Sequence, residues 1–141
     1  MSILVINPNS NEAVTQGLRS ALARFPGVDC ITLPTGPFGI ESQRDIDSVV
    51  LPLLELMHMR SDARAFVIAC YSDPGIDAAK AEIPVPVFGI QEAGLATALC
   101  RADMFGIIAL GTKSIPRHRK YMRRLGVLDR LAGERALNMS V

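Results

Sequence analysis

Short runs of apolar, largely β-branched residues alternate with helix-patterned segments along the whole chain, and this alternation restricts the fold more than any other feature. Ile3-Leu4-Val5-Ile6 is unbroken, of strand length, and ends in the turn-formers Asn7-Pro8-Asn9-Ser10. The next segment carries Val14, Leu18, Leu22 and Phe25 on one helical face. Asn9 or Ser10 is its expected N-cap, and Pro26-Gly27 its stop. Further strands are expected at Val28–Leu33, Ala65–Ala69, Val85–Ile90 and Phe105–Leu110. Helical patterns fill the intervals: Asp45–Met59 with a kink at Pro52, a short one from Pro74, and Glu92–Arg101. Another runs from Ser114-Ile115-Pro116, where Ser caps and Pro takes the first helical position, to Gly126. Ala136–Val141 reads as the start of one more strand. Fully apolar strands separated by helices require a parallel sheet covered on both faces. The expected class is α/β, doubly wound.

Composition agrees with that class and narrows the setting. With 49% hydrophobic residues in 141, the chain can bury a core, which excludes intrinsic disorder. Three cysteines, an odd number, make no disulfide framework, so a cytoplasmic location is expected. The N-terminus has neither a basic n-region nor a long apolar stretch, so no signal peptide or membrane span is expected. Net charge is +1, but residues 1–112 hold 7 Lys/Arg against 12 Asp/Glu while 113–141 hold 8 against 2. The excess is concentrated in Arg117–Arg124, RHRKYMRR. There Ile115, His118, Met122 and Leu125 share one face and the basic residues fall largely elsewhere. With Tyr121 as its one aromatic, this is an amphipathic helix with a solvated basic face rather than a nucleic-acid platform.

In a parallel sheet, ligands bind at the carboxyl ends of the strands. After the first strand, Asn7, Asn9 and Ser10 suit a carboxylate or carbonyl ligand, and equally suit plain turn and capping chemistry. No G-x-G-x-x-G or Walker sequence follows, so no nucleotide cofactor is indicated. After the third strand comes Ala69-Cys70-Tyr71-Ser72-Asp73-Pro74-Gly75. Cys70 stands where the apolar run ends and a helix is about to begin, a position that favours the reactive thiolate. A buried, inert cysteine is the competing reading, and the residues leave both open. Glu92 after the fourth strand suits a first helical turn, and Thr112-Lys113 after the fifth suits oxygen ligands. Cys30 and Cys100 read as packing cysteines and His58 as a packed helix residue, while His118 has no evident acid partner. No metal-ligand spacing joins these residues, so no metal site is expected.

Taken together, ILVINPNSN, GPFGIES (Gly36–Ser42), ACYSDPG (Ala69–Gly75), PVFGIQEAG (Pro86–Gly94) and LGTKSIPRHRKYMRRLG (Leu110–Gly126) resemble, in that order, the hydantoin racemases. These belong with the allantoin racemases to the aspartate/glutamate racemase superfamily. The resemblance runs over essentially the whole chain, and ACYSDPG with PVFGIQEAG is its specific part. It implies a cofactor-independent racemase of two similar α/β lobes with the active site between them. Two cysteines face opposite sides of the substrate α-carbon, one removing a proton as thiolate and the other returning one as thiol. Cys70 stands at the first of these positions. By the same resemblance Asn7, Asn9 and Ser10 line the pocket, Ser72 and Asp73 lie beside the thiolate, and Thr112 and Lys113 lie across from them. The partner is a small molecule of the hydantoin or allantoin class, and homo-oligomerisation is compatible with such an enzyme.

The chain departs from the family pattern in one respect. The second cysteine belongs to a later strand end, in a setting like G-C-x-x-M, and neither Cys30 nor Cys100 occupies it. The expectation is therefore an N-terminal portion, with residues 1–95 forming a first lobe that carries Cys70 and 96–141 an incomplete second lobe. Competing expectations are another reaction of the superfamily (amino-acid racemase, maleate isomerase-like or arylmalonate decarboxylase-like) and a non-catalytic remnant.

Overall fold

A computed structural model describes residues 2–139. The chain divides into two compact units, Met1–Glu92 and Ala93–Val141.

The first unit is built on a four-stranded parallel sheet. Its strands are β1 (Ile3–Asn7), β2 (Val28–Thr32), β3 (Ala65–Ile68) and β4 (Val87–Gly89), in the spatial order β2-β1-β3-β4. Register assigns the faces, because paired residues of parallel strands point the same way. Leu4 pairs with Phe66 and Phe66 with Val87, and Ile6 pairs with Ile68. This face is buried under α3 (Val50–Met59) and α4 (Ile76–Glu82), with Val49, Leu53, Met57, Ile76, Ala79 and Ile83 in the same core. On the opposite face Val5 pairs with Cys30 and Val67, and Val67 with Phe88. Helix α1 (Glu12–Leu22) covers the β1–β2 side of it: Thr15 Oγ1 lies 2.6 Å from Thr32 Oγ1, and Arg19 bonds the Cys30 carbonyl. Phe88 on the edge strand is half exposed, so the expected cover on both faces does not extend over β4.

Several boundaries differ from the sequence reading for identifiable reasons. The N-cap of α1 is Asn11, whose side chain accepts the Ala13 N–H, because the Asn9 side chain is already engaged with Asn7 and the Asn11 N–H. Phe25 lies beyond the end of α1 and is exposed. The expected kinked helix over Asp45–Met59 is two helices, α2 (Gln43–Ser48) and α3, broken at Val49. Pro52 has no N–H for the Ser48 carbonyl and its ring would crowd that group, so the helix restarts with Pro52 in a first turn. Helix α2 carries a capping box in which Ser42 accepts the Asp45 N–H and Asp45 accepts the Ser42 N–H. Pro74 lies two residues ahead of α4 rather than inside it, and Gly75 at φ 70 is the N-cap.

Helix α5 (Ile90–Arg101) follows β4 directly. The second unit contains β5 (Phe105–Ala109), a 3-10 turn at Thr112–Ser114, α6 (Ile115–Arg124), a 3-10 turn at Leu128–Arg130 and β6 (Leu131–Ala136). Strands β5 and β6 pair in parallel, with a register shift between Phe105 and Gly106. On β5, Phe105, Ile107 and Ala109 are buried while Ile108 is 74% exposed, so one face is open. Ser114 does not cap α6 by its side chain; its hydroxyl donates to the Gly111 carbonyl at 2.7 Å. The strand expected at Ala136–Val141 is displaced upstream to Leu131–Ala136, a segment without β-branched residues that is a strand because β5 pairs with it. Leu137 and Met139 still donate to the carbonyls of Ala109 and Leu110, and residues 140–141 lie outside the described residues.

Candidate functional site

In the first unit the carboxyl edge of the sheet gathers the ends of β1, β3 and β4, and with them six of the eight residues expected at a site: Asn7, Asn9, Ser10, Cys70, Ser72 and Asp73. Thr112 and Lys113 belong to the second unit, where both are exposed in the turn after β5.

The asparagines are inward-facing. Asn7 is fully buried, and its Nδ2 donates to Asn9 Oδ1 (2.9 Å), the Asn11 carbonyl (3.1 Å) and Thr15 Oγ1 (3.1 Å), while its Oδ1 accepts the Asn9 N–H. These bonds shape the loop from within and satisfy groups that burial would otherwise penalise. Ser10 is half-buried and its N–H donates to the Pro37 carbonyl. The loop after β2 packs so closely here that a Cβ on Gly36 would lie 2.4 Å from the Pro8 carbonyl oxygen.

Cys70 lies two residues past β3 and is partly buried. The Ala69 N–H donates to the Ile6 carbonyl at 2.8 Å, extending the β1–β3 alignment to the residue before the cysteine. Because α4 begins only at Ile76, its dipole reaches Cys70 less than the sequence reading implied; such effects fall off within a turn. Tyr71 and Ser72 are half-buried. Asp73 is 3% exposed, and its carboxylate is engaged with the start of α5: Oδ1 accepts the Gln91 N–H at 2.9 Å and Oδ2 the Glu92 N–H at 2.8 Å. Glu92 is salt-bridged to Lys80, with both oxygens 2.7 Å from Nζ.

Burial pushes the Asp73 carboxyl up from its ordinary 3.8 to about 6; the Gln91 and Glu92 N–H groups oppose the rise, the Glu92 charge adds to it and Lys80 opposes it. Between about pH 4 and 6 the folded chain holds a proton that the unfolded chain has released, so stability from this group is fullest below pH 4 and lost as pH rises to 6. The difference amounts to about 3 kcal/mol. Urea unfolding of Asp73→Asn at a series of pH values is expected to lack that decline; an unchanged slope would show that Asp73 titrates normally.

Of the other cysteines, Cys30 is buried in β2 as expected, and burial pushes its thiol pKa up. Cys100 is exposed rather than packed: Gln91 and Leu95 mark the buried side of α5, and five residues beyond Leu95 is about 140° around the helix. His58 is likewise exposed, with Nδ1 2.8 Å from the Leu54 carbonyl oxygen. His118 does have an acid partner: Glu134 Oε1 lies 2.5 Å from its Nδ1, with side chains 6% and 1% exposed. Sixteen residues separate them, and only packing of α6 on β6 joins them. In α6 Met122 is buried as expected and Arg124 lies 4.9 Å from the Tyr121 ring centroid, while Leu125, the C-cap, is exposed. Among the described residues no three His, Cys, Asp or Glu side chains gather as a metal site needs, and no helix is long and apolar enough to cross a membrane.

The parallel α/β architecture is shared with solved structures. Allantoin racemase from Klebsiella pneumoniae superposes with a TM-score of 0.92 at 27% identity, over 100% of this chain and 60% of that one. Glutamate racemase from Campylobacter jejuni subsp. jejuni shares the fold at a TM-score of 0.64 and 20% identity, over 94% of this chain and 56% of that one. These define the class: an α/β fold with parallel sheets, similar to that of allantoin and glutamate racemases. Residues 3–141 match the family model described as Asp/Glu/Hydantoin racemase. The chain is 33% identical to a hydantoin racemase of Paenarthrobacter aurescens over 152 residues, spanning all of this chain and 63% of that protein. The chain belongs to the Asp/Glu/hydantoin racemase family, and it spans less than two thirds of the length of these relatives.

Proposed function

We propose that this chain is the N-terminal portion of a cofactor-independent, cytoplasmic racemase acting on 5-substituted hydantoins or allantoin, with Cys70 as one of its two acid–base groups. The observation that carries the reading is the position of Cys70, partly buried at the carboxyl end of β3 in a chain of this family. A C–H flanked by a ring carbonyl is acidic enough for a thiolate to remove its proton, leaving the electron pair on the carbonyl oxygen as an enolate. Backbone N–H groups at the strand ends stabilise that oxygen, and a proton delivered to the opposite face completes the inversion. Ser10 and Ser72 in the first unit, and Thr112 and Lys113 in the second, are the proposed substrate contacts, with Asn7, Asn9 and Asp73 shaping the loops around them. The second acid–base cysteine is proposed to lie beyond residue 141, in the part of the relatives this chain does not span.

A second reading keeps the superfamily and changes the reaction to single-thiol chemistry such as decarboxylation of a malonate. It is favoured by the settings of Cys30, buried within a strand, and Cys100, exposed on a helix, which leave one strand-end thiol. A panel of hydantoins and free amino acids, followed by loss of the α-hydrogen NMR signal in D2O, and of malonates, followed by release of CO2, separates the two. Exchange confined to hydantoins or allantoin supports the first reading, and turnover of malonates alone replaces it. Sequencing the source reading frame past Val141 and weighing the native protein tests the proposed remainder. A stop codon with a native mass of 15.2 kDa would end two-base racemisation within one chain.

A further inference from the structure

The Asp73 side chain ties the loop that carries Cys70 to the start of α5. Asp73 is a non-glycine residue in the left-handed region, at φ 41, and Gly75 follows at φ 70. Aspartate tolerates that conformation better than most residues, yet it persists only where surrounding contacts enforce it. The contacts are made at both ends of Asp73. Its N–H donates to the Cys70 carbonyl at 3.0 Å. Its carboxylate accepts the N–H groups of Gln91 and Glu92, first-turn donors of α5 that have no acceptor within their own helix. Gly89 is what admits the carboxylate: a Cβ there would stand 2.1 Å from the Asp73 carboxyl carbon and 2.3 and 2.4 Å from its oxygens. Burying this charge beside Glu92 costs the fold stability that an uncharged cap would not, and costs of this kind collect where function needs them.

We propose that Asp73 is a positioning residue, whose carboxylate is clasped by the Gln91 and Glu92 N–H groups so that the Cys70–Gly75 loop is locked and the place of the Cys70 thiol is fixed. Its meaning for catalysis rests on Cys70 being the base; the clasp itself does not. Asp73 thus acts through the loop, where the family resemblance implies only that it lies beside the thiolate.

The test is alkylation of the full 141-residue chain with iodoacetamide, read separately at each cysteine by peptide mass spectrometry. Exposed Cys100 reports reagent and pH, buried Cys30 reports opening of the sheet, and the Cys70-to-Cys100 rate ratio reports the loop. Asp73→Ala is expected to raise that ratio about tenfold, the factor that one strong hydrogen bond represents in a local opening equilibrium, with Cys30 unchanged. Gly89→Ala keeps Asp73 but drives a methyl into its carboxyl, and is expected to raise the ratio likewise. The double variant should exceed Asp73→Ala alone by no more than about twofold, since Gly89 matters only through that carboxyl. Asp73→Asn, which keeps one acceptor, should fall between wild type and Asp73→Ala.

Three results overturn the proposal: a ratio unchanged in both single variants, effects of the two that multiply, or Cys30 accelerating in step with Cys70. Should Asp73→Ala not melt cooperatively, Asp73→Asn and Gly89→Ala decide by the same ratios. If Cys70→Ser leaves substrate exchange intact while these ratios shift, the base assignment fails and the clasp stands. If the ratios are unchanged and exchange is lost in Cys70→Ser, the clasp fails and the base assignment stands.

Discussion

Exchange of the C5 hydrogen of a 5-substituted hydantoin in D2O is expected to fall about 10²–10⁴-fold when Cys70 is replaced by serine, the range that removal of a general base covers. Serine keeps the size and polarity of the side chain, but its hydroxyl is far too weak an acid to supply an anion near neutral pH. Loss of exchange would therefore report the thiolate and not a change of shape. Two controls follow from where the other thiols lie. Cys30→Ser alters a buried thiol whose pKa burial pushes up, and Cys100→Ser alters an exposed helix position. Each should leave exchange within about twofold, since surface and inert positions have small effects. A thiolate approaches the α-carbon from one face, so the 141-residue chain should also exchange one enantiomer faster than the other. Equal rates for both enantiomers, or exchange retained in Cys70→Ser, would remove Cys70 from the role.

Breaking the buried pair in the second unit is expected to have the largest effect on stability. His118 and Glu134 meet at 2.5 Å between α6 and β6, and Oε2 of Glu134 has no hydrogen-bond partner. Removing His118 leaves the 1%-exposed Glu134 carboxylate without the bond at its Oε1, and breaking a buried pair in this way costs about 3–5 kcal/mol. A two-stranded sheet with one open face has little reserve against such a loss. Glu134→Ala and His118→Ala should each lower the unfolding midpoint of the second unit sharply in circular dichroism melts. Replacing both by leucine should return most of the loss, because neither member of the pair is then left buried opposite an apolar side chain. Single variants that melt within a degree or two of the parent would show that the pair carries no structural weight.

How much of this was legible beforehand depended on distance along the chain. The apolar runs at Ile3, Val28, Ala65, Val85 and Phe105 all became strands, because burial on a parallel sheet demands local runs of apolar residues. The break between α2 and α3 was visible as Pro52 but misplaced, since proline disturbs the turn before it. Strand β6 was misplaced by several residues for a different reason: Leu131–Ala136 has no strand composition of its own and depends on pairing with β5.

The candidate site divides the same way. Cys70 at a strand end could be read from ACYSDPG, where the apolar run gives way to turn residues. The engagement of Asp73 with Gln91 and Glu92, 18 and 19 residues away, could not. Nor could the role of Gly89, which is set by an atom of Asp73, or the meeting of His118 with Glu134.

The sequence by itself determined the α/β class, the order of the elements and the strand-end position of the cysteine, because hydrophobic periodicity and turn chemistry act over a few neighbouring residues. Only the tertiary structure decided which polar side chains face inward, which donors hold the Cys70 loop and which acid meets His118. Those choices depend on strand register and helix packing, which bring together groups that local pattern leaves unrelated.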